Sequence, residues 1–116
     1  MNSTLIQKVS EENFDSVTFE NNITTIAFFN ANRCNICTLL SSILEEVAVE
    51  YRKKVEIYSI NVDEYEGLVK RFRLTGIPTL LIFKNGEVQE RLTGFNNKKV
   101  IKERLDYILS LRSEEK

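Results

Sequence analysis

Residues 24–30, Thr-Thr-Ile-Ala-Phe-Phe-Asn, form a short continuous apolar and β-branched run of the kind that suits a strand buried on both faces. From Cys34 the period changes. Ile36, Leu40, Ile43, Val47 and Tyr51 recur at three- or four-residue steps, and Leu39, Leu44 and Ala48 widen the stripe, predicting a helix over 34–51 with Cys34 at its entrance. After the charged break Arg52-Lys53-Lys54, residues 55–62 alternate in part between apolar and polar and predict a second strand. Asp63 stands where a helix cap is expected, Glu66 completes a capping box, and Leu68, Val69 and Phe72 supply the apolar side of a unit that Gly76 ends. Residues 79–83 predict another buried strand, Asn85-Gly86 a two-residue hairpin turn, and 87–92 the returning strand. Gly94 and Asn96-Asn97 break that strand, and Val100, Ile101, Leu105, Ile108 and Leu109 mark a final helix before a charged tail expected to fray. Near the N-terminus, Leu5, Ile6 and Val9 have helical spacing with Ser3 or Thr4 as a cap, and Val17–Phe19 reads as a brief strand.

Strands separated by helices imply parallel crossovers, whereas the Asn85-Gly86 hairpin forces an antiparallel pair. A mixed central sheet with helices on both faces satisfies both demands, so the expected fold class is α/β. The 116 residues fit a single domain spanning 1–116, with no internal repeat, linker or low-complexity segment.

Composition narrows the function. Sixteen basic and seventeen acidic side chains give a formal charge of -1, so no global field draws in nucleic acid or an anionic membrane. The clusters Arg52-Lys53-Lys54 and Lys70-Arg71-Arg73 alternate with acids and read as solvated helix faces. The first fourteen residues lack the apolar core of a signal peptide, and no apolar run is long enough to span a bilayer, which makes a cytoplasmic location the simplest expectation.

The chain has two cysteines, Cys34 and Cys37, and no histidine. In a reducing compartment such a pair is more often catalytic, redox-active or metal-binding than a permanent staple. A structural zinc site wants four ligands, and neither a further cysteine nor a histidine is present to complete one unless two chains pool their thiols or carboxylates join. Two inert thiols on a core face remain an alternative. A reversible dithiol needs an attacking thiolate and a resolving thiol, which a one-turn spacing at a helix start supplies with little motion. The unpaired N–H groups of the first turn favour an anion at Cys34 more than at Cys37, so Cys34 is the expected nucleophile and Cys37 the resolver. Arg33 either stabilises the thiolate, attracts an acidic partner or is a solvated charge, and Asn32 is a candidate cap for the helix. The four glycines lie apart at breaks, which rules against a Gly-rich dinucleotide loop, and the lack of histidine rules against a Ser-His-Asp nucleophile.

From about Val17 onward the chain resembles the thioredoxin family: an apolar strand leads into "RCNIC", a strand ends "NVDE", and "GIPTLLIFKNGEV" and "TGF" follow. The resemblance implies a thioredoxin fold and a thiol–disulfide oxidoreductase that reduces protein disulfides without a bound cofactor. Its implied partners are disulfide-containing proteins and a flavin-dependent thioredoxin reductase or another dithiol donor, with a monomer as the simplest state. It further implies a cis Ile77–Pro78 bond beside the dithiol, Ile77 backbone groups that pair with an extended substrate, and close-approach surfaces at Gly76 and Gly94. Arg33, Asn35 and Ile36 then set the environment of the sulfurs, and Thr75 and Phe95 join Arg33 and Ile77 in shaping substrate choice.

Departures from the family pattern accompany the match. Its two tryptophans correspond to Asn30 and Arg33, its Gly-Pro between the cysteines to Asn35-Ile36, its buried aspartate to Phe28 and the partner lysine to Ser59. Loss of the proline removes a backbone constraint, and a phenyl ring cannot relay a proton to or from Cys37. Asp63 matches a family aspartate and reads as a helix cap and not a base. An oxidase or isomerase of the same fold, or a non-catalytic binding module, are the alternative functions.

Overall fold

The computed structural model describes residues 5–111. Five strands form one sheet in the order β1-β3-β2-β4-β5, where β1 is Ile6–Lys8, β2 Thr24–Asn30, β3 Val55–Asn61, β4 Thr79–Lys84 and β5 Glu87–Thr93. The first three are mutually parallel, and β4 and β5 run antiparallel to their neighbours. Helices α1 (Phe14–Val17), α2 (Asn35–Glu50), α3 (Glu66–Arg71) and α4 (Lys98–Ser110) complete the chain.

The unbroken run of β2 is buried along almost its whole length because the strand is central and both faces are covered. Ile26 and Phe28 point into a core with Leu40, Leu44 and Val47 of α2 and Ile101, Leu105 and Ile108 of α4. Ala27 and Phe29 point the other way, against Phe14, Ile60, Leu68 and Phe83. On that side the Phe14 ring sits 5.4–6.1 Å from the rings of Phe72, Phe83 and Phe29 in tilted or edge-on arrangements. The Asn85-Gly86 turn has positive φ at both residues, 55° and 80°, as a two-residue hairpin between twisted strands requires.

Polar contacts tie α4 to the rest. Lys98 bridges Glu46 and Glu50 of α2, and Lys102 also reaches Glu50. Hydrogen bonds from Lys102 and then Lys98 hold the Glu50 carboxyl below its ordinary range. At the far end, the Lys84 ammonium donates to the carbonyls of Ile108 and Leu111 at 2.8 and 2.6 Å, placing a cation on the open carbonyl end of α4.

The N-terminal readings are corrected. Ile6–Lys8 is a strand and not a helix: Ile6 pairs with Ile57, and Val9 N–H extends the ladder to the Ser59 carbonyl at 3.1 Å. Three apolar residues in five fit either period, and the open edge of β3 decides for the strand. Val17–Phe19 is not a strand either. Phe14 and Val17 share a helical spacing, and the turn closes where the Thr18 hydroxyl donates to the Phe14 carbonyl at 2.8 Å. Asp63 does not cap α3, which starts after Tyr65 with no side-chain cap. Its own N–H donates to Asn61 Oδ1 at 2.9 Å, so Asn61 organises the turn and Asp63 lies too early to reach the first helical N–H groups. Arg52-Lys53-Lys54 forms a turn and not a helix face, with Lys53 at φ 72°. The proposed caps Ser3 and Thr4 and the charged tail at 112–116 lie outside the described residues. Among the described residues no helix is long and apolar enough to cross a membrane.

Candidate active site

The central strand delivers the chain to the site. After Asn30 the buried Ala31 closes a tight turn in which Cys34 N–H donates to the Ala31 carbonyl at 3.2 Å. Cys34 has extended backbone angles and is itself the N-cap of α2: its Sγ accepts from the Cys37 N–H at 3.1 Å. Asn32, the expected cap, is exposed and takes no part in this contact, because it lies two residues outside the first turn.

Cys34 and Cys37 form a disulfide with their Cα atoms 5.2 Å apart. Their environments differ. Cys34 is half-buried, whereas Cys37 is 3% exposed and packs in the core cluster that contains Phe28, Leu40 and Leu80. One sulfur is therefore within reach of a partner and the other is not. The helix-start N–H of Cys37, aimed at the outer sulfur, favours its anionic form when the bond is open.

At the same end of the sheet, β4 begins opposite the end of β2, with Phe29 paired to Thr79. The Ile77–Pro78 bond before it is cis, in agreement with the resemblance. Two hydrogen bonds hold this loop: Thr79 Oγ1 donates to the Gly76 carbonyl at 2.7 Å, and Gly94 N–H to the Pro78 carbonyl at 2.8 Å. Pro78 is buried and Ile77 half-buried against both core layers, while Thr75 and Gly76 are exposed. Gly94 has φ +84°, a conformation that favours glycine, and a Cβ added at Gly76 or Gly94 would meet no atom within 4 Å. Both glycines thus present open backbone. Asn35 and Ile36 occupy the exposed first turn of α2, Ile36 at 42% and Leu39 one turn on at 51% exposure; Phe95 adds a third exposed apolar side chain in the β5–α4 connection.

Arg33 does not stand as an isolated charge. Its guanidinium donates to Asp63 Oδ1 at 3.0 Å, and both side chains are at least half exposed. The pair sits on a groove of about 500 Å³ whose walls also include Val62, Val69, Leu74, Gly76 and Ile77. Sequence reasoning assigned Asp63 to the wrong task and missed the groove. The available signal was topological: Arg33 and Asp63 follow the ends of two adjacent parallel strands whose last residues, Asn30 and Asn61, are paired.

The acid and lysine implied by the family pattern have a neutral replacement. Phe28 is 3% exposed, and its cross-strand neighbour Ser59 accepts a hydrogen bond from Asn30 Nδ2 at 2.8 Å. This amide–hydroxyl pair contains no base that titrates near neutral pH. Among the described residues no group of three or more His, Cys, Asp or Glu side chains is placed to hold a metal ion.

A half-buried cysteine bonded to a buried one at a strand-to-helix junction defines a protein suited to thiol–disulfide redox chemistry. Comparison with known proteins agrees: residues 5–107 match the model of the thioredoxin family, and the chain belongs to that family. It is 35% identical over 101 residues to a thioredoxin of Staphylococcus haemolyticus, covering 87% of this chain and 95% of that protein. A Staphylococcus aureus thioredoxin is 34% identical over the same shares of each chain. The chloroplastic M-type thioredoxin of Spinacia oleracea is 30% identical over 90% of this chain, which spans 58% of that longer relative.

Proposed function

We propose that this protein is a thiol–disulfide oxidoreductase that reduces disulfides in other proteins. The observation that carries the reading is the asymmetry of the pair: Cys34 caps α2 half-exposed, and Cys37 lies 3% exposed one turn behind it. In the reduced protein the Cys34 thiolate attacks one sulfur of a substrate disulfide. A mixed disulfide forms, and the other substrate sulfur leaves as a thiolate. That thiolate, whose basicity matches an ordinary cysteine, takes the Cys37 proton in place of the carboxylate that Phe28 does not supply. The Cys37 thiolate then attacks Cys34 Sγ, the internal disulfide closes, and the second substrate sulfur leaves and is protonated by water. Two electrons pass from the Cys34-Cys37 dithiol to the substrate. An external dithiol or a flavin-dependent thioredoxin reductase restores the dithiol, so the chain itself carries no cofactor in this reading.

In this reading Ile77 and the open backbone at Gly76 and Gly94 align an extended substrate segment with Cys34, and recognition rests mainly on main-chain contacts. The same reading has one domain over 1–116 acting as a cytoplasmic monomer. The neutral Asn30–Ser59 pair favours, as a second reading, a binding module whose dithiol no longer turns over. Turnover of a protein disulfide by dithiothreitol, with and without the protein, separates the two. The reductase reading expects acceleration at catalytic amounts of protein; binding of the substrate without acceleration supports the module.

A further inference from the structure

We infer that Arg33 selects substrates, favouring disulfides whose cysteine is flanked by an acidic residue, with Asp63 as the positioning residue that fixes the guanidinium. This deepens the reductase reading and rests on it. Arg33 is bonded through the backbone to Cys34, its side chain is 67% exposed, and Asp63 engages it through a single oxygen, Oδ1, at 3.0 Å. A guanidinium presents five donors in a planar fork, so a second carboxylate arriving with the substrate can be bound in parallel without expelling the first.

Asp63 is suited to the positioning role because its own backbone is fixed: its N–H donates to Asn61 Oδ1 at the end of β3. Tethering the long Arg33 side chain there lowers the entropy lost when a substrate carboxylate binds. Val62, Val69, Leu74 and Ile77 offer apolar surface for an extended segment in the groove, whose charged lining is Arg33 and Lys70 with Asp63 and Glu66. Of these four, Arg33 is the one that adjoins Cys34 in sequence, which puts the choice next to the cysteine. Lys70 lines the same groove from α3 and does not adjoin the dithiol in sequence. Electrostatic selection of this kind acts through encounter and register and weakens with salt.

The test uses three disulfide-linked peptides that differ only in whether glutamate, glutamine or lysine flanks the cysteine. Each kcat/KM is divided by the rate with dithiothreitol alone, which removes the effect of neighbouring charge on the thiol itself. The wild-type protein is expected to prefer the glutamate peptide to the glutamine peptide by about fivefold at low ionic strength, the scale of one exposed charge pair, and to lose most of that ratio at high salt. Arg33→Gln should bring the ratio to unity, Arg33→Lys should restore part of it, Asp63→Asn should reduce it, and Lys70→Gln should leave it in place. A ratio unaffected by Arg33→Gln, a wild-type preference for the lysine peptide, or transfer of the effect to Lys70 would overturn the inference. Failure of the wild-type protein to accelerate any of the peptides would instead overturn the reductase reading beneath it.

Discussion

Cys37→Ser is expected to stop the reaction at its midpoint, leaving the protein covalently attached to its substrate through Cys34, while Cys34→Ser should lower turnover by more than about 10³-fold, the scale on which loss of a nucleophile acts. The contrast follows from position. Cys34 is the half-buried sulfur at the N-cap, and Cys37 is enclosed in the core. Serine at 34 keeps an oxygen that can accept the Cys37 N–H, so this variant retains the cap and its inactivity reports chemistry and not unfolding. Serine at 37 places a hydroxyl among apolar neighbours, and Cys37→Ala provides the companion variant without that burial. Non-reducing electrophoresis and intact mass read the trapped adduct. Trapping through Cys37 in a Cys34→Ser background would reverse the assigned roles.

Phe28→Asp, which introduces the acid that the family pattern implies, is expected to destabilise this chain by at least about 4 kcal/mol at neutral pH. That loss would consume much of the stability of an ordinary domain. The phenyl ring fills space beside Cys37, Leu40 and Leu80, and its cross-strand neighbour is Ser59, not a lysine. Truncation leaves a cavity, and the carboxylate is buried beside a neutral amide–hydroxyl pair. Because burial favours the neutral acid, the carboxyl's folded-state pKa rises above its unfolded value of about 3.9. The penalty is therefore smallest below that pH and grows as pH rises toward the folded-state pKa. Urea midpoints at acid and neutral pH, with Phe28→Leu as the apolar control, measure both parts. A Phe28→Asp loss within about 1 kcal/mol of wild type at neutral pH would show that water already reaches this position.

The sheet and its two long helices were legible because their patterns are long and flanked by clear breaks. β2 reads as one apolar run since it is covered on both faces, and α2 keeps its stripe for four turns. The first twenty residues were not legible. Leu5, Ile6 and Val9 fit two periods, and only the free edge of β3, supplied by residues some fifty positions later, makes them a strand. Phe14 and Val17 form a helix of four residues, too short for periodicity to register, and its buried ring is secured by aromatic partners distant in sequence.

The dithiol was legible for a different reason: two cysteines one turn apart behind a buried strand narrow the chemistry to a few options, and Gly-Ile-Pro-Thr ahead of a second apolar strand singles out the redox pair. What surrounds it was less so. Asp63 followed by Glu66 has the spacing of a capping box, yet the tight turn at Asn61 holds Asp63 clear of α3 and frees its carboxylate for Arg33. Likewise, Asn32 had the right chemistry for a cap, but Cys34 is the residue at the helix entrance and its sulfur takes the contact. In both cases local propensity named a suitable side chain, and backbone geometry chose its neighbour.

Counting free thiols during a single round of exchange tests the central claim most directly. The fully reduced protein is mixed with less than one equivalent of a protein disulfide, quenched with a thiol-alkylating reagent and weighed intact. For each substrate disulfide opened, one molecule of this protein should pass from two labelled cysteines to none, through loss of both the Cys34 and Cys37 thiols, as the substrate gains two labels. Two labels retained on every chain, with the substrate still oxidised, would contradict a reversible Cys34-Cys37 dithiol as the working part of this protein.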